Sequence, residues 1–232
     1  MHKTNIVFSC NRCGACCNNI QGNFTEKEIQ DIKVVFKRFE NQGMYLALDP
    51  EKFSIPLFPQ EAETMKKLAS TLGVEFNPVP KLFMLDSRTG YCIVLEWDLG
   101  YSNCPFFEKN RCLIHKNRPL ACQSFPVFPY SFSSPHLDYM LLGRCPQSRK
   151  HMGLNREQIK RVFNDEIKAV SLFCKELEKR RRMKEELMEK KLLLPMITER
   201  RNVLKILEKT GTRILSIDEF YSASIIGLTR VL

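Results

Sequence analysis

Four cysteines stand within eight residues near the start of the chain, in Cys10-Asn11-Arg12-Cys13-Gly14-Ala15-Cys16-Cys17. Packing gives no reason to crowd thiols so closely, whereas thiolates are strong ligands for zinc and iron. Cys10, Cys13 and Cys16 follow C-x2-C-x2-C, the spacing with which a short loop wraps an iron–sulfur cube. Such a run takes its remaining ligand from a distant cysteine. Cys104 and Cys145 are distant and each stands directly before a proline, as the closing ligand of the bacterial ferredoxin run does. Proline has no N–H to donate and turns the chain away. Gly14 is free to adopt a positive φ and Ala15 is small, so the loop can curl around a bulky centre. The chemistry is metal binding, with a [4Fe–4S] cluster as the leading reading and tetrahedral zinc as the alternative, since both accept four thiolates.

A second group of thiols, Cys104, Cys112 and Cys122, follows C-x7-C-x9-C, which is not the C-x2-C knuckle of an ordinary zinc finger. Glu108-Lys109-Asn110 makes a polar turn that lets Cys104 and Cys112 face each other across a hairpin. Pro119 suits the first turn of a short helix that carries Cys122 back to the same centre. Adjacent side chains on an extended strand point apart, so Cys16 and Cys17 are expected to serve different centres. Cys92 and Cys174 have apolar neighbours and read as buried structural thiols. No C-x3-C-x2-C run, no glycine-rich phosphate loop after a strand and no H-E-x-x-H motif is present, and no catalytic residue is assigned.

The segments CNRCGACC at 10–17 and CPFFEKNRCLIHKNRPLACQSFP at 104–126, with the later Cys145, resemble the YkgJ-type cysteine-cluster family. The resemblance rests on Cys10, Cys13, Cys16, Cys17, Cys104, Cys112, Cys122 and Cys145, together with Arg118-Pro119 and Phe125-Pro126. It implies that these eight cysteines chelate zinc or iron. His115 departs from the family pattern, which usually has tyrosine there. The flagellin lysine methylase carries the same domain, so the resemblance also implies a second class of function, an enzyme related to lysine N-methylase or a redox catalyst using the cluster.

The chain of 232 residues carries ten cysteines, too few for a secreted disulfide scaffold. It shows no signal-peptide run and no apolar stretch long enough to span a membrane. These features predict a cytoplasmic protein whose thiols stay reduced and available as ligands. The net charge of +10 is uneven: residues 1–148 hold 16 Lys/Arg against 14 Asp/Glu, and residues 149–210 hold 18 against 10. The basic tail suggests a third class, an adaptor that meets nucleic acid or a protein partner through Arg180-Arg181-Arg182. The alternative is a solvated, ion-paired helix face.

The predicted fold class is α+β, with a small irregular metal-centred domain of short hairpins and helices over 1–150 and a basic, mainly helical region over 151–232. Thr25 and Glu28 form a capping-box signature for a helix ending near Gly43. Ala62, Met65, Leu68, Ala69 and Leu72 mark a second helix stopped by Gly73. Leu82–Leu85 and Tyr91–Leu95 flank Asp86–Gly90 as a hairpin. Short extended segments follow between Phe128 and Leu142. One apolar stripe runs from Ile159 to Leu177, Pro195 is expected to start or kink the next helix, and Ser216 to Glu219 caps a last one.

Overall fold

The computed structural model describes residues 7–17, 26–47, 55–99, 103–129, 139–141, 145–208 and 213–227. Thr25 and the turn at 131–135 lie outside the described residues. In chain order the elements are α1 Glu26–Glu40, β1 Met44–Leu46, β2 Pro56–Leu57, α2 Pro59–Leu72, β3 Val79–Leu85 and β4 Cys92–Asp98. Next come β5 Phe107–Glu108, β6 Arg111–Cys112, α3 Leu120–Ser124, β7 Val127–Pro129 and β8 Tyr139–Leu141. The chain continues with α4 Arg156–Val162, α5 Asn164–Glu189, α6 Arg200–Glu208, β9 Ile214–Ser216 and α7 Ile217–Ile225. The fold is α+β. Its residues pack as two compact units, one of Met1–Ile20, Leu68–Phe76 and Tyr101–Glu176, the other of Gln21–Lys67, Asn77–Gly100 and Leu177–Leu232.

The second unit is built on a five-stranded sheet in the order β1-β3-β4-β2, with β9 paired to β4. The expected hairpin is β3 and β4, antiparallel with Met84 opposite Ile93 and Leu85 opposite Cys92. Asp86 closes its loop: the carboxylate is buried and accepts from the Thr89 N–H at 3.1 Å, the Thr89 hydroxyl at 2.8 Å and the Leu194 N–H at 2.9 Å. Cys92 is fully buried among Tyr45, Phe83, Val94 and Val203, the structural thiol its apolar neighbours predict. Gly43 has φ +69 after α1, and an added Cβ there would stand 2.5 Å from Pro195 Cβ, so the position needs glycine on two counts.

Pro195 neither starts nor kinks a helix. The segment after α5 runs extended along the hairpin, with the Ser87 N–H donating to the Leu194 carbonyl and the Met196 N–H donating to the Leu85 carbonyl, each at 2.8 Å. Pro195 pairs with Asp86 in an isolated bridge, where its missing N–H costs nothing in a ladder. The buried Tyr45 hydroxyl donates to the Met196 carbonyl at 2.8 Å and accepts from the Thr198 N–H at 2.9 Å, so α6 begins only at Arg200. Further on, Ser216 caps α7 in a full capping box with Glu219, as the sequence predicts. The strand just before it, β9, runs parallel to β4 and was not foreseen.

The first unit carries the short strands β5 to β8, α3, α4 and the first half of α5. Its apolar core is Phe8, Val127, Cys145, Ile159, Phe163 and Val170, with Cys10 and Cys174 packed against it. The apolar stripe after Asn155 is split between α4 and α5 at Phe163, whose φ of −114° and ψ of 39° leave the helix. The break lets the buried Phe163 ring meet the Phe8 ring at 4.8 Å, while the Phe8 N–H donates to the Val162 carbonyl at 2.7 Å. That anchor fixes the chain two residues before Cys10.

Candidate metal centre

The cysteine loop folds as a turn. Arg12 and Gly14 both take positive φ, 58° and 76°, and the Cys17 N–H donates to the Gly14 carbonyl at 2.8 Å. This geometry corrects the expectation that Cys16 and Cys17 point apart, because the chain between them is not extended. Their sulfurs stand 3.9 Å from each other.

The second thiol group is brought up by a hairpin. Lys109 and Asn110 both have positive φ, 48° and 59°, which is the two-residue turn that matches strand twist. Phe107 is paired opposite Cys112, and the Leu113 N–H donates to the Phe106 carbonyl at 2.9 Å. The hairpin docks on the loop, since the Cys104 N–H donates to the Cys17 carbonyl at 2.8 Å and the Phe107 ring lies against Gly14. Pro119 sits at the N-cap of α3, with the Cys122 N–H donating to its carbonyl at 2.9 Å, and so sets Cys122 on a short helix as expected.

The thiols affect each other's proton affinity across these segments. A hydrogen bond with Cys104 pushes the Cys17 thiol up to about 12, helped by burial and opposed by Cys16. The bond to Cys17, followed by burial, raises Cys16 further. Burial raises Cys122, with Cys16, Cys17 and Cys112 adding to it, and burial likewise raises Cys112, with Cys16 and Cys10 contributing. Arg118 acts in the opposite sense on Cys16, Cys112 and Cys122. Its guanidinium is positioned by donating to the His115 carbonyl at 3.1 Å. The Arg-Pro pair was noted in the sequence, but nothing in its spacing reveals that the cation serves three thiols from two segments.

Five half-buried cysteines, Cys16, Cys17, Cys104, Cys112 and Cys122, are therefore gathered, with Cys10 near Cys112. Cys145 is buried in the apolar core on which Cys10 also packs, and Cys13 is exposed. Cys174 packs against the same core but is only half-buried, short of the full burial its apolar stripe predicts. Among the described residues no three His, Cys, Asp or Glu side chains already converge as a complete ligand set. The Cys16 and Cys17 sulfurs are nevertheless in contact, and the Cys104 backbone is held against Cys17 by its N–H donating to the Cys17 carbonyl. A tetrahedral zinc with bonds of about 2.3 Å sets its sulfurs about 3.8 Å apart, which the Cys16–Cys17 separation already meets. The His115 Nε2 atom is buried and has no hydrogen-bond partner, and burial, with Arg118 and Arg12 nearby, lowers its pKa and keeps the imidazole neutral. Soft sulfur donors fit zinc or iron.

Residues 9–175 match the model of the CxxCxxCC family, described as "Putative zinc- or iron-chelating domain". The chain belongs to this family. No curated protein and no solved structure matches it. The CxxCxxCC match is to the cysteine-cluster family that the sequence resembles, and it takes in every cysteine named above.

Two tests follow from the geometry of this CxxCxxCC domain. A Cβ on Gly14 would stand 2.1 Å from Phe107 Cζ on a backbone that L side chains rarely adopt. Gly14→Ala is expected to cost about 2 kcal/mol and to weaken metal retention in a chelator competition assay. Gly90→Ala also falls at positive φ but meets no atom within 4 Å, so it should cost less in a urea melt.

Glu166, in the first turn of α5, has its carboxyl raised from 4.5 to about 7 by burial and by the neighbouring charge of Asp165, against the pull of its own backbone and Arg118. An acid with a raised folded-state pKa penalises the fold once it ionises. The penalty is absent below the unfolded value, grows as pH rises from 4.5 to about 7, and is complete above that. Glu166→Gln should therefore melt higher than the wild type at pH 8 and at the same temperature at pH 4. Thermal scans across that range check the sign.

Proposed function

We propose that this protein chelates zinc or iron through its eight-cysteine set, Cys10, Cys13, Cys16, Cys17, Cys104, Cys112, Cys122 and Cys145, with a four-thiolate centre drawn in the first place from Cys16, Cys17, Cys104, Cys112 and Cys122. The observation that carries this reading is the docking of Cys104 on Cys17, far apart in sequence, through the Cys104 N–H donating to the Cys17 carbonyl at 2.8 Å, which sets two reduced thiols side by side as soft-metal ligation requires. The metal-binding function belongs to residues 1–150, and residues 151–232 are the basic helical region. Metal would take the place of protons that crowding and burial now hold on these thiols, so loading releases protons. Availability of the thiols requires a reducing compartment such as the cytoplasm.

The 3.9 Å separation of Cys16 and Cys17 supports a single tetrahedral ion shared by the pair. The C-x2-C-x2-C spacing of Cys10, Cys13 and Cys16 supports the second reading, a [4Fe–4S] cluster. Anaerobic purification after growth with added iron separates them. A colourless protein carrying stoichiometric zinc bears out the single-ion reading. A brown protein with iron and acid-labile sulfide in equal amounts bears out the cluster. Protein that retains neither metal would overturn both.

A further inference from the structure

The loop after β3, the end of α5 and the end of α7 meet around a cavity of about 680 Å3, lined by Arg88, Thr89, Lys190, Lys191 and Ser224 among others. All of these residues belong to the sheet-bearing unit. Among the described residues three cations line the cavity and no carboxylate does. Lys190 is spent on Glu186, and Arg88 donates to the Leu192 carbonyl and lies 3.9 Å from Asp86. The guanidinium keeps further N–H groups for a ligand and is 43% exposed. Lys191 is exposed and forms no ion pair among the described residues.

Lys191 also stands where backbone energetics would not choose it. It ends α5 with a φ of 54°, while the Leu192 N–H closes back on the Leu187 carbonyl at 2.8 Å. Glycine or asparagine usually fills this left-handed position. Across the cavity Ser224 is 5% exposed and its hydroxyl has no hydrogen-bond partner. A buried hydroxyl without a protein partner is rare, and this one borders the cavity with its hydrogen-bonding capacity unused.

We propose that this cavity binds a phosphorylated small molecule, whose phosphate oxygens accept from Arg88, Lys191 and the Ser224 hydroxyl. A phosphate offers enough acceptors and charge for three separate donors, and the guanidinium fork matches it. The volume suits a ligand of nucleotide size or smaller. Among the described residues no aromatic ring lines the cavity, so they offer a stacked single strand no platform. The basic triplet Arg180-Arg181-Arg182 supplies no rival site, because Arg180 is buried and Arg181 and Arg182 are paired with Glu178.

Calorimetry on the full chain with inorganic pyrophosphate tests the proposal. Pyrophosphate should bind with one-to-one stoichiometry and weaken as salt rises from about 50 to 200 mM. Lys191→Asn removes the charge with a residue that tolerates the left-handed backbone, so melting should be unchanged while affinity falls about tenfold. Ser224→Ala should weaken binding too, and Arg182→Gln should leave it unchanged. Failure of pyrophosphate to bind, equal affinity in Lys191→Asn, or equal losses in Arg182→Gln and Lys191→Asn would overturn the proposal. So would tighter binding of a thymidine oligomer through the same lysine.

Discussion

Stripping the metal with a strong chelator is expected to abolish the ordered structure around Cys104 to Cys122. The elements there are too short to stand alone: β5 and β6 have two residues each and α3 has five. Structural thiolate sites supply on the order of 10 kcal/mol of folding free energy, comparable with the whole stability of a domain. Cys17→Ser and Cys122→Ser should reproduce the effect of the chelator. Hydrogen exchange reads it directly, with fast exchange of the Cys104, Leu113 and Cys122 amides in the stripped protein. The amides of β3 and β4, which belong to the sheet-bearing unit, should stay protected. Unchanged protection at residues 104–122 after metal removal would deny the metal its structural role.

Replacing Arg180 with alanine is expected to be the most damaging single change in the sheet-bearing unit, at about 3 kcal/mol. Arg180 is the largest fully buried side chain of the described residues. Its guanidinium lies 4.4 Å from the centre of the Phe58 ring, donates to Gln60 Oε1 at 2.6 Å and stands 3.3 Å from Asp218 Oδ2. The change removes packing, a cation–π contact and an ion pair together. Lys179 still holds Asp218 at 3.1 Å, which keeps the loss below that of an abandoned buried charge. Arg181→Ala and Arg182→Ala remove exposed pairs and should each cost less than about 1 kcal/mol. Urea melts of the three variants check the order.

The same three arginines show where sequence reading stops. A run of like charges is read as one surface, but successive helix residues lie about 100° apart, so Arg180 turns inward while Arg181 and Arg182 find Glu178. Local signals were dependable when their partners are also local. The β3–β4 hairpin, the Ser216 capping box, the glycine after α2 and the turn before Cys112 all stand as the residues foretell. Features made by distant pairing were not legible. The β9 strand has three residues and exists because Cys92 to Val94 offer it an edge. The extended path of Pro195 depends on Tyr45 and Asp86, far away in sequence. At the candidate centre the two groups of thiols and the hairpin and short helix that carry the second were legible from spacing. The approach of Cys16 to Cys17 was not, because an extended chain was expected there, whereas it is a turn closed by the Cys17 N–H on the Gly14 carbonyl.

X-ray absorption at the edge of the bound metal, recorded for the wild type and for Cys17→Ser, tests the shared centre most directly. The account predicts a shell of about four sulfurs in the wild type, near 2.3 Å if the metal is zinc. In Cys17→Ser a sulfur is lost from that shell and metal content falls. A shell dominated by nitrogen or oxygen, or one that is identical in the two proteins, would contradict it.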